Sequence, residues 1–329
     1  MKIPLRTGRV PSATVPPRPT VGLVLGSGSA RGWAHIGVIR SLLRAGVPID
    51  YVAGASIGAF VGAVFCAGQI DLLAEEVLRL DWRKMTSMLD FTLPRTGLLA
   101  GEKLTAFIRH LVHDCAIEEL PIPFCAVATS LQTGREIWLR HGSTVAAVRA
   151  SLSLPGIFTP VRHGTLWLVD GGLANPVPVT VCRAMGAEVV IAVNLNAEIL
   201  PRLQRSVKKK EQGGHPQRDQ RLRQAFRQYW QKQGERFRQR LPLPRQSGEG
   251  SLSIFEVLLY SVQGMQDRIT RQRLAADPPE VQITPSLRHI QLWEFHRAEE
   301  AIAEGERVAQ ALLPTIRESL AQEGMAREE

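Results

Sequence analysis

A chain of 329 residues with 44% apolar side chains can bury one large core or two average ones, and its 6% aromatic content suits an α/β protein better than an all-β one. The net charge of +9 belongs to one segment, because residues 201–250 carry 14 Lys and Arg against 4 Asp and Glu and the remainder is nearly neutral. Cys66, Cys115, Cys125 and Cys182 lie far apart with no CxxC pair, which excludes a disulfide framework or a cysteine metal site and implies small core residues in a reducing compartment.

Residues 1–20 are proline-rich and have no apolar h-region, so they read as a disordered leader and not as a signal peptide. Val21–Leu25 is a short apolar run that ends in Gly26-Ser27-Gly28-Ser29-Ala30-Arg31-Gly32. A helix is predicted over Ala34–Arg44, with Ile36, Ile39, Leu42 and Leu43 on one side and Gly46 as its stop. Ile49–Ala53 reads as a second strand that turns through Gly54-Ala55-Ser56-Ile57-Gly58 into another helix. Val52–Gly68 is uncharged, yet it is short and rich in Gly and Ala, which fits a buried helix better than a membrane span. Further strands are expected at Phe124–Thr129, Glu136–Leu139, Leu166–Val169 and Val189–Asn194. Strands alternating with helices imply a mostly parallel central sheet with helices on both faces, in one domain spanning 21–197.

Residues 198–250 form a basic insertion bounded by prolines and glycines. Within it Leu222, Phe226, Tyr229, Trp230 and Phe237 recur at helical spacing among arginines, a pattern that suits peripheral contact with an anionic membrane. A solvated loop is the alternative, and nucleic-acid contact is the less favoured one. Residues 251–329 are expected to be mainly helical and to complete the fold, with helices over Ser251–Leu274 and Glu294–Leu312 and a short strand at Val281–Ile283.

Three motifs carry the chemistry. Gly54-Ala55-Ser56-Ile57-Gly58 has the form of a nucleophile elbow, in which small residues at −2 and +2 let a serine sit on a strained strand-to-helix turn. The rival reading is tight helix–sheet packing by small residues. The loop Gly26–Gly32 can turn consecutive N–H groups toward a developing negative charge. It also resembles a dinucleotide loop, but no Gly-Lys-Ser/Thr follows, and Asp50 precedes the second strand when a ribose ligand should follow it. Asp170-Gly171-Gly172 puts a carboxylate at the end of a strand, although an ordinary Asp-Gly turn would look the same.

In this order, the three motifs resemble those of the bacterial patatin-like phospholipases. The flanking blocks Arg31-Gly32-Trp33-Ala34-His35-Ile36-Gly37-Val38-Ile39 and Arg149 to Pro160 add to the likeness. The resemblance implies a three-layer patatin-like fold and a Ser–Asp dyad, with Ser56 as nucleophile and Asp170 as base. It places Gly26, Gly28, Ser29, Ala30, Arg31 and Gly32 in the oxyanion motif, Gly54 and Gly58 in the elbow, and Gly171 and Gly172 behind the base. The family loop is commonly all glycine at its start, whereas Ser27 and Ser29 interrupt it here. The implied activity is acyl-ester cleavage of a phospholipid or other lipid, with no cofactor and no metal, in the cytoplasm or on the inner face of the membrane. A broader esterase or thioesterase, or a non-catalytic lipid-binding regulator on the same fold, are the alternatives. His289 and His296 follow Asp170 in the chain and are rival bases. Leu152, Leu154, Ile157 and Phe158 are candidates for an acyl pocket.

Overall fold

The first strand, β1 (Val21–Leu25), is fully buried, as five consecutive aliphatic or glycine residues between two neighbours should be. A computed structural model describes residues 18–80, 99–197 and 254–326. The expected leader over 1–17 and the basic insertion with its membrane contact lie outside these described residues. The last three leader positions are instead part of the fold. Arg18 is paired to Asp50 at 2.7 Å, Asp50 also accepts from the Val21 N–H, and Thr20 is bonded to Gly186 O and Glu188. Asp50 thus ties down the entry to β1, where the dinucleotide reading had placed a ribose ligand.

After β1 come α1 (Ala34–Arg44), β2 (Tyr51–Ala55), α2 (Ile57–Cys66), α3 (Ile70–Leu78) and α4 (Glu102–Val112). They are followed by β3 (Phe124–Ser130), β4 (Glu136–Leu139), α5 (Thr144–Ser151), β5 (Val161–His163) and β6 (Leu166–Asp170). The order closes with α6 (Val179–Ala184), β7 (Val189–Val193), α7 (Ile254–Ala276), β8 (Val281–Ile283) and α8 (Ala298–Ala326). Strands β3, β2, β1, β7 and β8 run parallel, whereas β4, β5 and β6 pair antiparallel. Alternate side chains of β1 enter two separate cores. Val21, Leu23 and Leu25 pack with α1, α2 and α8, while Val24 packs with Val179, Val181 and Cys182 of α6. The molecule is therefore the three-layer, mostly parallel α/β fold expected, with a helical C-terminal region.

The register of β3 decides where the chain ends meet. Ala126 and Val127 pair with β2 and also with β4, so those two strands lie on opposite edges of β3. Ala128 and Thr129 pair with β4 and also with β6, so β6 takes the same edge as β2. Strands β2 and β6 consequently run toward each other along one edge of β3. Their last residues, Ala55 and Asp170, lie opposite the consecutive residues Val127 and Ala128.

The C-terminal helix α8 buries Ala298, Ala301, Ile302, Gly305, Ala309 and Ile316 against the sheet and α1. Its crossing with α1 is backbone to backbone, since a Cβ on Gly37 would strike Ile302 O and one on Gly305 would strike Ala34 O. The helix continues through Pro314, past the Leu312 boundary expected from sequence. A mid-helix proline costs about 3 kcal/mol. Burial of Ile316 and packing of Leu320 beyond it offset part of that. Gly305→Leu should lower stability by at least about 1–3 kcal/mol through overpacking, read as a lower urea midpoint with an unchanged m-value.

Candidate active site

Ser56 sits between β2 and α2 at φ 55°, ψ −123°, a backbone conformation that L-residues other than glycine rarely adopt. Strain of this kind costs on the order of 1–3 kcal/mol and persists only where the surroundings enforce it. Two contacts do so. The Ser56 N–H donates to Ser151 Oγ at 2.8 Å, and Ser151 Oγ in turn donates to Val127 O at 2.5 Å. Two residues on, Gly58 lies so close to Leu25 O that a Cβ would collide with it, which lets the first turn of α2 rest on the end of β1. All ten residues of α2 are buried. The uncharged stretch is thus the buried helix expected, and among the described residues no helix is long and apolar enough to cross a membrane.

The abutting strand ends bring the two predicted groups together. Ser56 Oγ donates to Asp170 Oδ2 at 2.5 Å, and Gly172 N–H donates to Asp170 Oδ1 at 2.8 Å. The main chain of Asp170 is fixed as well, with its N–H on Ser153 O and its carbonyl accepting from Thr129 Oγ1 at 2.8 Å. Asp170 is 2% exposed. Burial pushes its pKa up to about 6, against the opposing pull of the hydrogen bonds from Ser56 and Gly172. The rival bases are engaged elsewhere: His289 pairs with Glu300, and His296 lies in an exposed turn before α8. His35 is wholly buried with Nε2 on Gly26 O at 2.8 Å, and burial pushes its pKa down to about 4.

The Gly26–Gly32 loop divides into used and unused donors. Gly26 N–H bonds to Val193 O, Ser27 N–H to Pro176 O and Ala30 N–H to Leu292 O. The N–H groups of Gly28 and Ser29 have no partner among the described residues, and both residues line the same cavity as Ser56 and Asp170. Gly26, Ala30 and Gly32, assigned to the oxyanion motif from sequence, do not line it. Gly26 follows β1 and is spent on Val193, Ala30 is spent on Leu292, and Gly32 packs on Ile57. Arg31 does line the cavity, with Nε on Gly28 O. Ser29 holds φ 53° in the left-handed region, where glycine is the usual residue. Its hydroxyl compensates by donating to Leu292 O at 2.7 Å, and Ser27 Oγ accepts from Asn196 Nδ2.

The cavity has a volume of about 230 Å³. Leu152, Leu154, Ile157 and Phe158 line it as anticipated, together with Trp33, Phe60, Leu104, Phe107 and Trp293. Gln263 and Gln266 of α7 line it as well. Sequence reading missed these two, and it missed Ser151. The Arg149-Ala150-Ser151-Leu152-Ser153 spacing held the only hint, three polar side chains at alternate positions in an otherwise apolar block. Arg149 stabilises that turn from beneath through Ser153 Oγ and Ala100 O. Gly54, paired with Leu25 and Ala126, and Gly171, against Val127 O, pack the strand ends and do not line the cavity.

Residues 23–183 match the family model described as patatin-like phospholipase. This segment belongs to the patatin-like phospholipase family. An NTE family protein of Mycobacterium tuberculosis (strain ATCC 25618 / H37Rv) is 43% identical over 178 residues, covering 54% of this chain and 49% of that protein. Patatin-like phospholipase domain-containing protein 6 of Homo sapiens is 38% identical over 187 residues, 54% of this chain and 14% of that one. The chain thus spans about half the length of its mycobacterial relative. Among solved structures, VipD from Legionella pneumophila is similar with a TM-score of 0.43 at 12% identity, over 91% of this chain and 67% of that one. Both site motifs that precede α4, and Asp170 as well, fall inside the patatin-like segment, whereas Gln263 and Gln266 fall outside it.

The raised pKa of Asp170 has a consequence for stability. Unfolded, the carboxyl titrates near its ordinary value of 3.8, and folded it titrates near 6, so the native state binds more protons between those values. Stability therefore falls as pH rises through that window, and the cost of burying the charge is fully present above it. Asp170→Asn removes the charge while keeping an acceptor for Gly172. Its melting temperature should exceed that of the parent by roughly 5 °C at pH 8, with the advantage gone by pH 4.

Proposed function

We propose that the chain is a serine hydrolase that cleaves fatty-acyl esters of lipids, phospholipid or lysophospholipid among them, through Ser56 and Asp170. The observation that carries the reading is the 2.5 Å hydrogen bond from Ser56 Oγ to a buried carboxylate, at the wall of an apolar cavity. Membership of residues 23–183 in a family of lipid hydrolases supports it.

In the proposed reaction the acyl chain lies among the apolar side chains and the ester carbonyl sits over Ser56. Asp170 Oδ2 takes the hydroxyl proton as Oγ forms its bond to the carbonyl carbon. Negative charge develops on the carbonyl oxygen and is received by the Gly28 and Ser29 N–H groups, with help from the positive end of the α2 dipole. Collapse breaks the bond to the alcohol oxygen, which leaves with the proton from Asp170. A water molecule then gives a proton to the same carboxylate, attacks the acyl-enzyme, and frees the fatty acid and Ser56. One carboxylate serves both half-reactions because burial has made it a stronger base than an aspartate in water.

Ser56→Ala should abolish covalent labelling by a fluorophosphonate probe and reduce ester hydrolysis to background, with the fold intact by circular dichroism. Persistent labelling of that variant would remove Ser56 as the nucleophile. Because Asp170 must be ionised to accept the proton, kcat/KM should fall about tenfold per pH unit below about 6 and level off above it. Asp170→Asn should lose about 100-fold or more in kcat across the whole range. A flat acid limb in the parent enzyme would place the base elsewhere.

A further inference from the structure

Part of the cavity wall is an apolar cluster of its own, apart from the two cores that flank the sheet. Leu99, Leu154, Ile157, Phe158, Leu292 and Trp293 pack together there, and all six line the cavity that holds Ser56. Main-chain bonds tie the distant pieces of this wall, Leu99 N–H to Ile157 O and Thr159 N–H to Leu99 O. Leu292 ties the wall to something else. Its carbonyl accepts from Ser29 Oγ at 2.7 Å and from the Ala30 N–H at 3.2 Å. A residue whose side chain belongs to the wall thus holds the loop that presents the Gly28 and Ser29 donors. Leu292 lies outside residues 23–183, so the tether joins the family's loop to a part of the chain beyond the family segment.

Serine is a costly choice for position 29. At φ 53° glycine would avoid the strain that a Cβ brings, and it would keep the same unpaired N–H. What glycine cannot supply is the hydroxyl. Strain that persists where a strain-free residue exists points to a use for the side chain. Among the described residues the bond that this side chain makes is the one to Leu292 O.

We infer that Ser29 is a positioning residue whose hydroxyl couples the acyl-binding wall to the oxyanion donors, so that filling the wall speeds the chemical step. This rests on the hydrolase reading above. An acyl chain packed on Leu292 and Trp293 restrains their main chain. Through the Leu292 carbonyl it also restrains the Ser29 and Gly28 N–H groups in the place where the oxyanion forms. Such donors stabilise a transition state to the degree that they are fixed beforehand. A chain too short to pack on the wall leaves the loop to its own bonds. Contact with the non-reacting end of the substrate is then realised in the transition state, and it raises kcat as well as lowering KM.

The test measures kcat and KM of the full chain on p-nitrophenyl butyrate and p-nitrophenyl decanoate. In the parent, kcat on the decanoate should exceed kcat on the butyrate by roughly 3-fold to 10-fold, the range that one hydrogen bond can supply. Ser29→Gly keeps the N–H and relieves the strained φ. Its kcat ratio should fall toward 1 through loss of rate on the decanoate, with KM for that ester little changed. Leu292→Ala keeps the carbonyl and removes the wall contact, so it should lower the same ratio, and the double variant should lower it no further. Ser29→Ala and Leu292→Val give the same readings where the first variants melt below assay temperature. A parental kcat that does not rise with chain length, a parental ratio kept without the Ser29 hydroxyl, or fully additive losses in the double variant overturns the inference and leaves the hydrolase reading intact. Absence of any Ser56-dependent ester cleavage by the parent overturns both.

Discussion

The arrangement depends on two strands meeting end to end along one edge of β3. Because β2 runs parallel to β3 and β6 antiparallel, each finishes where the other does, and the residues just there are Ser56 and Asp170. Neither side chain has to reach, since the backbone delivers a hydroxyl and a carboxylate to hydrogen-bond distance. The rest of the site maintains that meeting point. Ser151 holds the Ser56 N–H and Val127 O together, Thr129 and Ser153 hold the main chain of Asp170, and Gly58 lets α2 start without a gap above β1. Most of these supports are short-range hydrogen bonds in a dry environment, where an unpaired group would be expensive.

The same enclosure gives the aspartate its chemistry. Surrounded by the sheet and by Gly171 and Gly172, the carboxyl has little water to stabilise its charge, which raises its proton affinity toward that of a usable base. Two donors moderate the shift. If neither were present, the carboxyl would remain protonated closer to neutrality. If more were present, it would revert toward an ordinary weak base. Stability is sacrificed for this, in common with the strained φ of Ser56, and both expenses fall on residues that the proposed reaction uses.

Much of this was legible from sequence because it is local. The elbow announces itself through Gly54 and Gly58 around Ser56, and Asp170 through its place after an apolar run and before two glycines. Strand periodicity located β3, β4, β6 and β7 to within a residue or so. The pairing of β2 and β6 on a single edge of β3 was not legible, because register is decided by residues far apart in sequence. The three-residue strand β5 is too short to show a period. Within the Gly26–Gly32 loop the sequence suggested a set of equivalent donors, yet contacts from Pro176, Val193 and Leu292, distant along the chain, consume three and leave Gly28 and Ser29. Gln263 and Gln266 passed as ordinary polar positions of an amphipathic helix, since nothing nearby reveals that their face is turned inward. Helix α8 runs past the Leu312 boundary read from its spacing because packing of Ile316 and Leu320, beyond Pro314, outweighs the local cost of that proline.

The glycine-to-backbone crossing of α1 and α8 joins elements at opposite ends of the described chain. During synthesis on the ribosome, α1 and the sheet beneath it emerge first, with an apolar stripe built for a helix that has not yet been translated. Until α8 has been made that stripe stays uncovered, and the nascent molecule presents a sticky groove to its surroundings. A ribosome that stalls before α8 would leave that groove open and the fragment prone to aggregate.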